Sequence, residues 1–239
     1  QAQTVSNRSR VYLVPRLHLL QRRRLGKVRV VGQQREERIK SLHAKLQDAE
    51  AGLARRGWSA KFGIEAEFVE STRAACGVSN AYPEPARLGA DRWADLIGAH
   101  ARGYEAACIV DAGSALTVDG LISGQHVGGL IIPGLGLMGA ALFQETGNLR
   151  SLSERPLSGG TALFATDTHE AIIRGTLLAA VSLIQRCRTE LAHQVGRSPD
   201  LVVTGGDAER LIPLLENSVH LPWLTLEGLA ELATGPRGG

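Results

Sequence analysis

The sequence is poor in aromatic residues, methionine and cysteine, and no acidic residue precedes Glu36. Aromatics make up 4% of the chain, and the basic N-terminal part lacks the interleaved rings that stack on nucleic-acid bases. Three cysteines, Cys76, Cys108 and Cys187, are widely spaced and form no CxxC or zinc pattern. That excludes a disulfide framework and fits a reducing cytoplasm. No run of 18 apolar residues occurs, so no stretch reads as a membrane-spanning helix. The first 30 residues hold no continuous apolar segment, which argues against a secretory signal. Met138 is the single methionine and position 1 is Gln1. The expectation is therefore a processed, trimmed or partial chain.

What is abundant is glycine, 28 of 239 residues, against a usual share of about 7%. The glycines follow no collagen period, so tight turns and close backbone approaches to a ligand are expected. Apolar residues are 44% and charged residues 21%, which is globular composition. The net charge of +3 hides an asymmetry: residues 1–56 hold 14 Lys/Arg and 4 Asp/Glu, and the remainder is net acidic. The basic stretch around Arg22, Arg23 and Arg24 reads either as a nucleic-acid or membrane-surface arm or, preferably, as a solvated tail.

Periodicity places a short strand at Val28–Val31, then a helix from Arg35 to Arg56 stopped at Gly57. A half-buried strand is expected at 62–69. Asn80 to Pro85 reads as a loop, Asp91 to His100 as a helix with Trp93, Leu96 and Ile97 inward, and Ala106 to Val110 as a buried strand running into Asp111. Asp111–Asp119 reads as strand, turn, strand, Ser123-Gly124 as a second turn and His126–Gly134 as a third strand, with a helix from Gly136 to Glu145 and a polar loop through Gly160. Asp167-Thr-His-Glu170 resembles a capping box opening a long helix that closes near Gly196. Leu201–Thr204 is a strand, Gly205-Gly206-Asp207 a loop, and Ala208–Leu215 a helix. Strands alternating with helices give an α/β class.

Three clusters carry possible chemistry. Asp111-Ala-Gly113-Ser114 ends a buried strand in a turn that offers N–H groups and a hydroxyl to a phosphate, with an acid to hold a cation. Gly205-Gly206-Asp207 lets backbone approach a nucleotide at a helix start. Gly89-Ala90-Asp91-Arg92 combines close approach, a base and an anion clamp. Each alone reads equally as an ordinary turn or cap. Their order, two strand–acid–glycine turns each with a small hydroxyl residue nearby, fits the phosphate-binding design of actin-like ATPases.

From Val28 to Gly228 the chain resembles the type III pantothenate kinases, a group that includes the Bvg accessory factor (Baf) proteins. The resemblance is carried by Asn80-Ala-Tyr82, Leu88-Gly-Ala-Asp-Arg-Trp93, Asp111-Ala-Gly-Ser-Ala-Leu-Thr-Val-Asp119, Gly128-Gly-Leu-Ile-Ile-Pro-Gly134, Thr168-His-Glu-Ala-Ile172, Thr204-Gly-Gly-Asp207 and Leu226-Glu-Gly-Leu229. It implies an actin-like, ribonuclease H-like fold in two lobes. Residues 28–105 would form an incomplete first lobe and 106–239 the second, with 1–27 left as a basic segment.

The function implied is ATP-dependent phosphorylation of pantothenate to 4'-phosphopantothenate in coenzyme A synthesis. Asp91 would be the base, and Tyr82, Gly89, Ala90, Arg92 and Thr168 would bind pantothenate. Gly113, Ser114, Gly205 and Gly206 would meet ATP, which brings Mg2+. Asp111 would hold K+ or NH4+. The family usually has Thr where Ser114 stands, so the hydroxyl is kept. An Asp base, with an ordinary pKa of about 3.9, suffices because phosphoryl transfer depends on positioning and charge neutralisation. A homodimer in the cytoplasm, with no membrane or nucleic-acid partner, is implied as well.

One family feature is missing. An Asp-x-Gly-Asn-Ser/Thr turn grips the β- and γ-phosphates in the family, and residues 1–60 contain none; the first aspartate is Asp48. Three explanations are open: a lost start, foreign or misread sequence in its place, or a divergent member. In each case the chain as given is expected to be a poor kinase. The alternative from another class is a non-catalytic regulator of the Baf type.

Overall fold

The computed structural model describes residues 13–15, 66–145 and 163–234. The basic segment 1–27 (apart from 13–15), the strand expected at 28–31, the helix expected at 35–56 and most of the polar loop before Gly160 lie outside the described residues. The chain divides into two compact units, residues 1–101 with 225–239, and residues 102–224.

In the first unit, β1 (Leu13–Pro15) pairs antiparallel with β2 (Ala66–Phe68). The strand expected at 62–69 is thus seen over three residues. A small hairpin follows, β3 (Ala74–Ala75) and β4 (Val78–Ser79). Pro85–Arg87 makes one turn of 3-10 helix, with Pro85 at its start where a missing N–H costs nothing. Helix α1 (Ala90–Ala101) comes next, and Trp93, Leu96 and Ile97 are fully buried on it, as the spacing predicts.

The second unit is built on five strands. β5 (Ala106–Ala112), β6 (Ala115–Ile122) and β7 (Gln125–Pro133) form an antiparallel meander. Helices α2 (Leu135–Glu145) and α3 (Thr168–Val195) intervene before β8 (Asp200–Thr204), which lies parallel to β5. After the short α4 (Ala208–Leu211), β9 (Ser218–His220) adds parallel to β8. The order is β7-β6-β5-β8-β9. This mixed sheet, a meander extended by two parallel strands, is the ribonuclease H-like layout of the actin-like class.

β5 is a near-continuous apolar run because it lies between β6 and β8 and is covered on its faces. Helix α3 packs on β5 and β6, and Ile173, Leu177, Ala180 and Ile184 meet Cys108, Val110, Leu116 and Val118 in the core. Asp167 caps α3: its carboxylate accepts the N–H of Glu170 at 3.1 Å. The Glu170 carboxylate also accepts from Arg174 at 2.6 Å. The helix expected over Ala208–Leu215 ends early, and Ile212–Leu214 is 3-10 helix, because Pro213 lacks the N–H an α-helix needs. The chain then returns to the first unit in α5 (Leu224–Thr234), whose Thr225 hydroxyl donates to buried Asp95 at 2.6 Å.

Candidate functional site

The register of the second unit places its polar residues at one end of the sheet. Asp111 pairs with Thr117 across the β5–β6 hairpin and with Thr204 on β8. Ala112 pairs with Leu116, so Gly113 and Ser114 are left to make the turn. The Gly113 N–H closes it on the Ala115 carbonyl at 3.0 Å. The Ser114 carbonyl accepts the Gly134 N–H at 3.0 Å, which ties in the end of β7. The Ala112 carbonyl accepts the Asp207 N–H at 2.8 Å, which ties in the loop after β8.

Gly205 is the tight point of this corner. Its φ is +91°, and a Cβ there would collide with the Asp111 carboxylate and the Ala112 carbonyl. The three joined turns border a cavity of about 670 Å³, lined by Gly113, Ser114, Gly136, Leu137, Ala140, Gly206 and Asp207. That volume is within the range of small-molecule sites. The lining is mostly backbone and small side chains, with one hydroxyl, one carboxylate and the start of α2. The start of α2 at this cavity favours an anionic group on a ligand. Asp207 also accepts from Arg210 at 3.3 Å.

The structure therefore brings Gly113, Ser114 and Gly206 to one cavity and sets Gly205 and Asp111 against each other behind it. Asp111 is half-buried, with the Ala112 carbonyl nearby, a set of oxygens that suits a hard cation. Among the described residues, no group of three or more His, Cys, Asp and Glu side chains is placed to hold a metal. Thr168 is exposed in the first turn of α3 and does not line the cavity.

The first unit gathers the other predicted residues. Asp91 lies in the first turn of α1, half-buried, with Oδ1 accepting the Arg92 N–H at 3.0 Å. A Cβ at Gly89 would stand 2.6 Å from that same oxygen. Ala90 opens the helix, and the Gly89 carbonyl accepts the Trp93 N–H at 3.0 Å. Arg92 is 3% exposed; its guanidinium donates to the Tyr82 hydroxyl at 3.0 Å and lies 5.8 Å from the ring centroid. A buried cation needs such partners. Tyr82, Gly89, Ala90, Asp91 and Arg92 thus form one cluster.

The cavity lining includes Asp207 of the expected Gly205-Gly206-Asp207 cluster, while sequence reasoning missed Gly136, Leu137 and Ala140 as cavity residues, although Gly134-Leu-Gly after a strand signals a helix start beside a turn. It also missed the buried pair of Asp119 and His126, 2.9 Å apart across β6 and β7.

A family model and the curated relatives point to one family. The family model described as type III pantothenate kinase matches residues 28–190. A type III pantothenate kinase of Nitrosococcus oceani is 40% identical over 177 residues, covering 71% of this chain and 65% of that protein. One of Halorhodospira halophila is 36% identical over 202 residues, covering 80% of this chain and 78% of that protein. A solved Baf family protein from Campylobacter jejuni is 24% identical, with 65% of this chain and 66% of that chain covered and a TM-score of 0.48. The chain thus spans 65% of the length of the Nitrosococcus relative.

Proposed function

Because the chain belongs to the type III pantothenate kinase family, we propose that it transfers the γ-phosphoryl group of ATP to the hydroxyl of pantothenate. The observation that carries this reading is the family match over residues 28–190, a span that contains Asp91, Asp111, Ser114 and Thr168.

Asp91 orients the pantothenate hydroxyl and takes its proton as the new O–P bond forms and the bond to ADP breaks. A loose transition state asks little basicity of that carboxylate and much of its position. Arg92, held by Tyr82, supplies positive charge to the pantothenate site, and Gly89 and Ala90 leave room for substrate. Thr168 offers its hydroxyl to pantothenate from the start of α3. Gly113, Ser114, Gly205 and Gly206 take the nucleotide. Asp111 holds a monovalent cation, and Mg2+ arrives with ATP, since the nearby donors are mainly backbone. We assign the unit 102–224 to the nucleotide-binding lobe and the unit that joins 225–239 to the residues before it to the first lobe, which moves the C-terminal segment out of the lobe expected at 106–239. A homodimer in the cytoplasm completes the reading.

Purified protein tests it. Calorimetry is expected to show pantothenate binding, and ADP release is expected to depend on pantothenate, ATP and potassium. Absence of both binding and pantothenate-dependent ADP release overturns the reading.

A further inference from the structure

We propose that Asn80 is a positioning residue of the pantothenate site, setting Tyr82 and, through it, the Arg92 guanidinium. The inference rests on the kinase reading for its consequence in binding, and on geometry alone for the positioning itself.

Asn80 is 5% exposed, so each of its polar atoms needs a partner inside the protein. Its Nδ2 donates to the Thr72 carbonyl at 3.2 Å and to the Pro85 carbonyl at 3.2 Å. Its Oδ1 accepts the Tyr82 N–H at 2.9 Å. Its own N–H donates to the Arg73 carbonyl at 2.9 Å. One buried amide therefore pins both ends of the 72–85 loop and the backbone of the tyrosine between them. Arg73 adds a clamp from outside, donating to the carbonyls of Tyr82 and Pro83 at 2.9 and 2.6 Å.

The tyrosine is worth fixing because of what it holds. Arg92 is buried, and the Tyr82 hydroxyl and ring face meet its guanidinium. Arg92 in turn donates its N–H to Asp91. Hydrogen bonds thus tie Asn80 to the Tyr82 backbone and the Tyr82 hydroxyl to the Arg92 guanidinium, and Arg92 follows Asp91 directly in α1. No aliphatic residue could replace Asn80, because two carbonyls and one N–H would lose their partner together. A displacement of about 1 Å at a reacting group can cost about 100-fold, so a loop pin remote from the chemistry has leverage.

The test uses the full chain as wild type, Asn80→Ala, Tyr82→Phe and the double variant, with pantothenate and ATP titrated separately. Asn80→Ala is expected to weaken pantothenate binding by about 10–100-fold and to leave ATP binding within about twofold. The double variant should be no weaker than Asn80→Ala alone, since both act through the same hydroxyl–guanidinium contact. Equal weakening of both ligands, or additive effects in the double variant, marks a merely structural role and overturns the proposal. Should Asn80→Ala not fold, Asn80→Ser replaces it and should weaken pantothenate binding relative to wild type while leaving ATP binding within about twofold; unchanged pantothenate binding overturns the proposal. A crystal structure of the variant decides independently of any kinase activity. Tyr82 shifted off Arg92 upholds the positioning role, and the contact retained at its present length overturns it. If wild type binds no pantothenate, the kinase reading fails, while the crystal structure still decides the positioning role.

Discussion

Two residues concentrate the chemistry and the strain. Asp91 sits in a helix first turn where its neighbours already orient it, so its removal should affect reaction more than binding. Asp91→Asn is expected to lower kcat by about 10²–10⁴-fold while pantothenate still binds, measured by turnover alongside calorimetry. Retained activity removes Asp91 from its role. Gly205 is constrained differently. Its positive φ and its contact with the Asp111 carboxylate and Ala112 carbonyl leave no space for a methyl group. Gly205→Ala should cost about 1–3 kcal/mol in a denaturant titration and weaken ATP binding. An unchanged midpoint would show that the corner can relax.

At the scale of elements, the long helix α3 depends on its start. Asp167 supplies a side-chain cap there, accepting the Glu170 N–H. Asp167→Ala should cost about 1 kcal/mol and lower Tm by about 2–4 °C in a calorimetric scan. This cap was legible in the sequence, as were α1, β5, β8 and the turn at Gly113, because each has a strong period or a punctuating residue at its end. Strand β9 and helix α5 were not read from periodicity. β9 is three residues long, too short for alternation to register, and its Val219 side chain is exposed. Leu226 to Leu229 stood out through family resemblance alone. In the site, the glycines signalled close approach, but their partners were hidden. Nothing local links Ala112 to Asp207; parallel pairing of β5 with β8 does. Asn80 likewise looked like a loop residue, because its three side-chain partners are visible only once the loop has closed.

For the whole molecule, the core contains an ionisable group with consequences for stability. Cys108 lies among apolar side chains, and burial pushes its thiol up to about 12, with Cys187 and Asp119 adding to the rise and Arg188 opposing it. The thiol is neutral in the fold and ionises more readily in the unfolded chain, at about pH 8.5. The sign follows: the unfolded state loses its proton first, so stability is full below that pH and falls as pH rises toward about 12. The slope from this group alone is about 1.4 kcal/mol per pH unit at most. Urea titrations at about pH 8, 9 and 10, spanning the rise from the unfolded value, should show the decline, and Cys108→Ala should flatten it. An equally steep decline in the variant assigns the loss to other groups.

The corner where Ala112, Ser114, Gly134 and Asp207 exchange backbone hydrogen bonds has one more consequence, a temporal one. The amides of Gly134 and Asp207 are far apart in sequence, yet each is satisfied by a carbonyl of the same hairpin turn. Release of that turn would expose both to solvent deuterium together. Their exchange should therefore follow a single opening event, and a nucleotide that closes the corner should slow both clocks by the same factor.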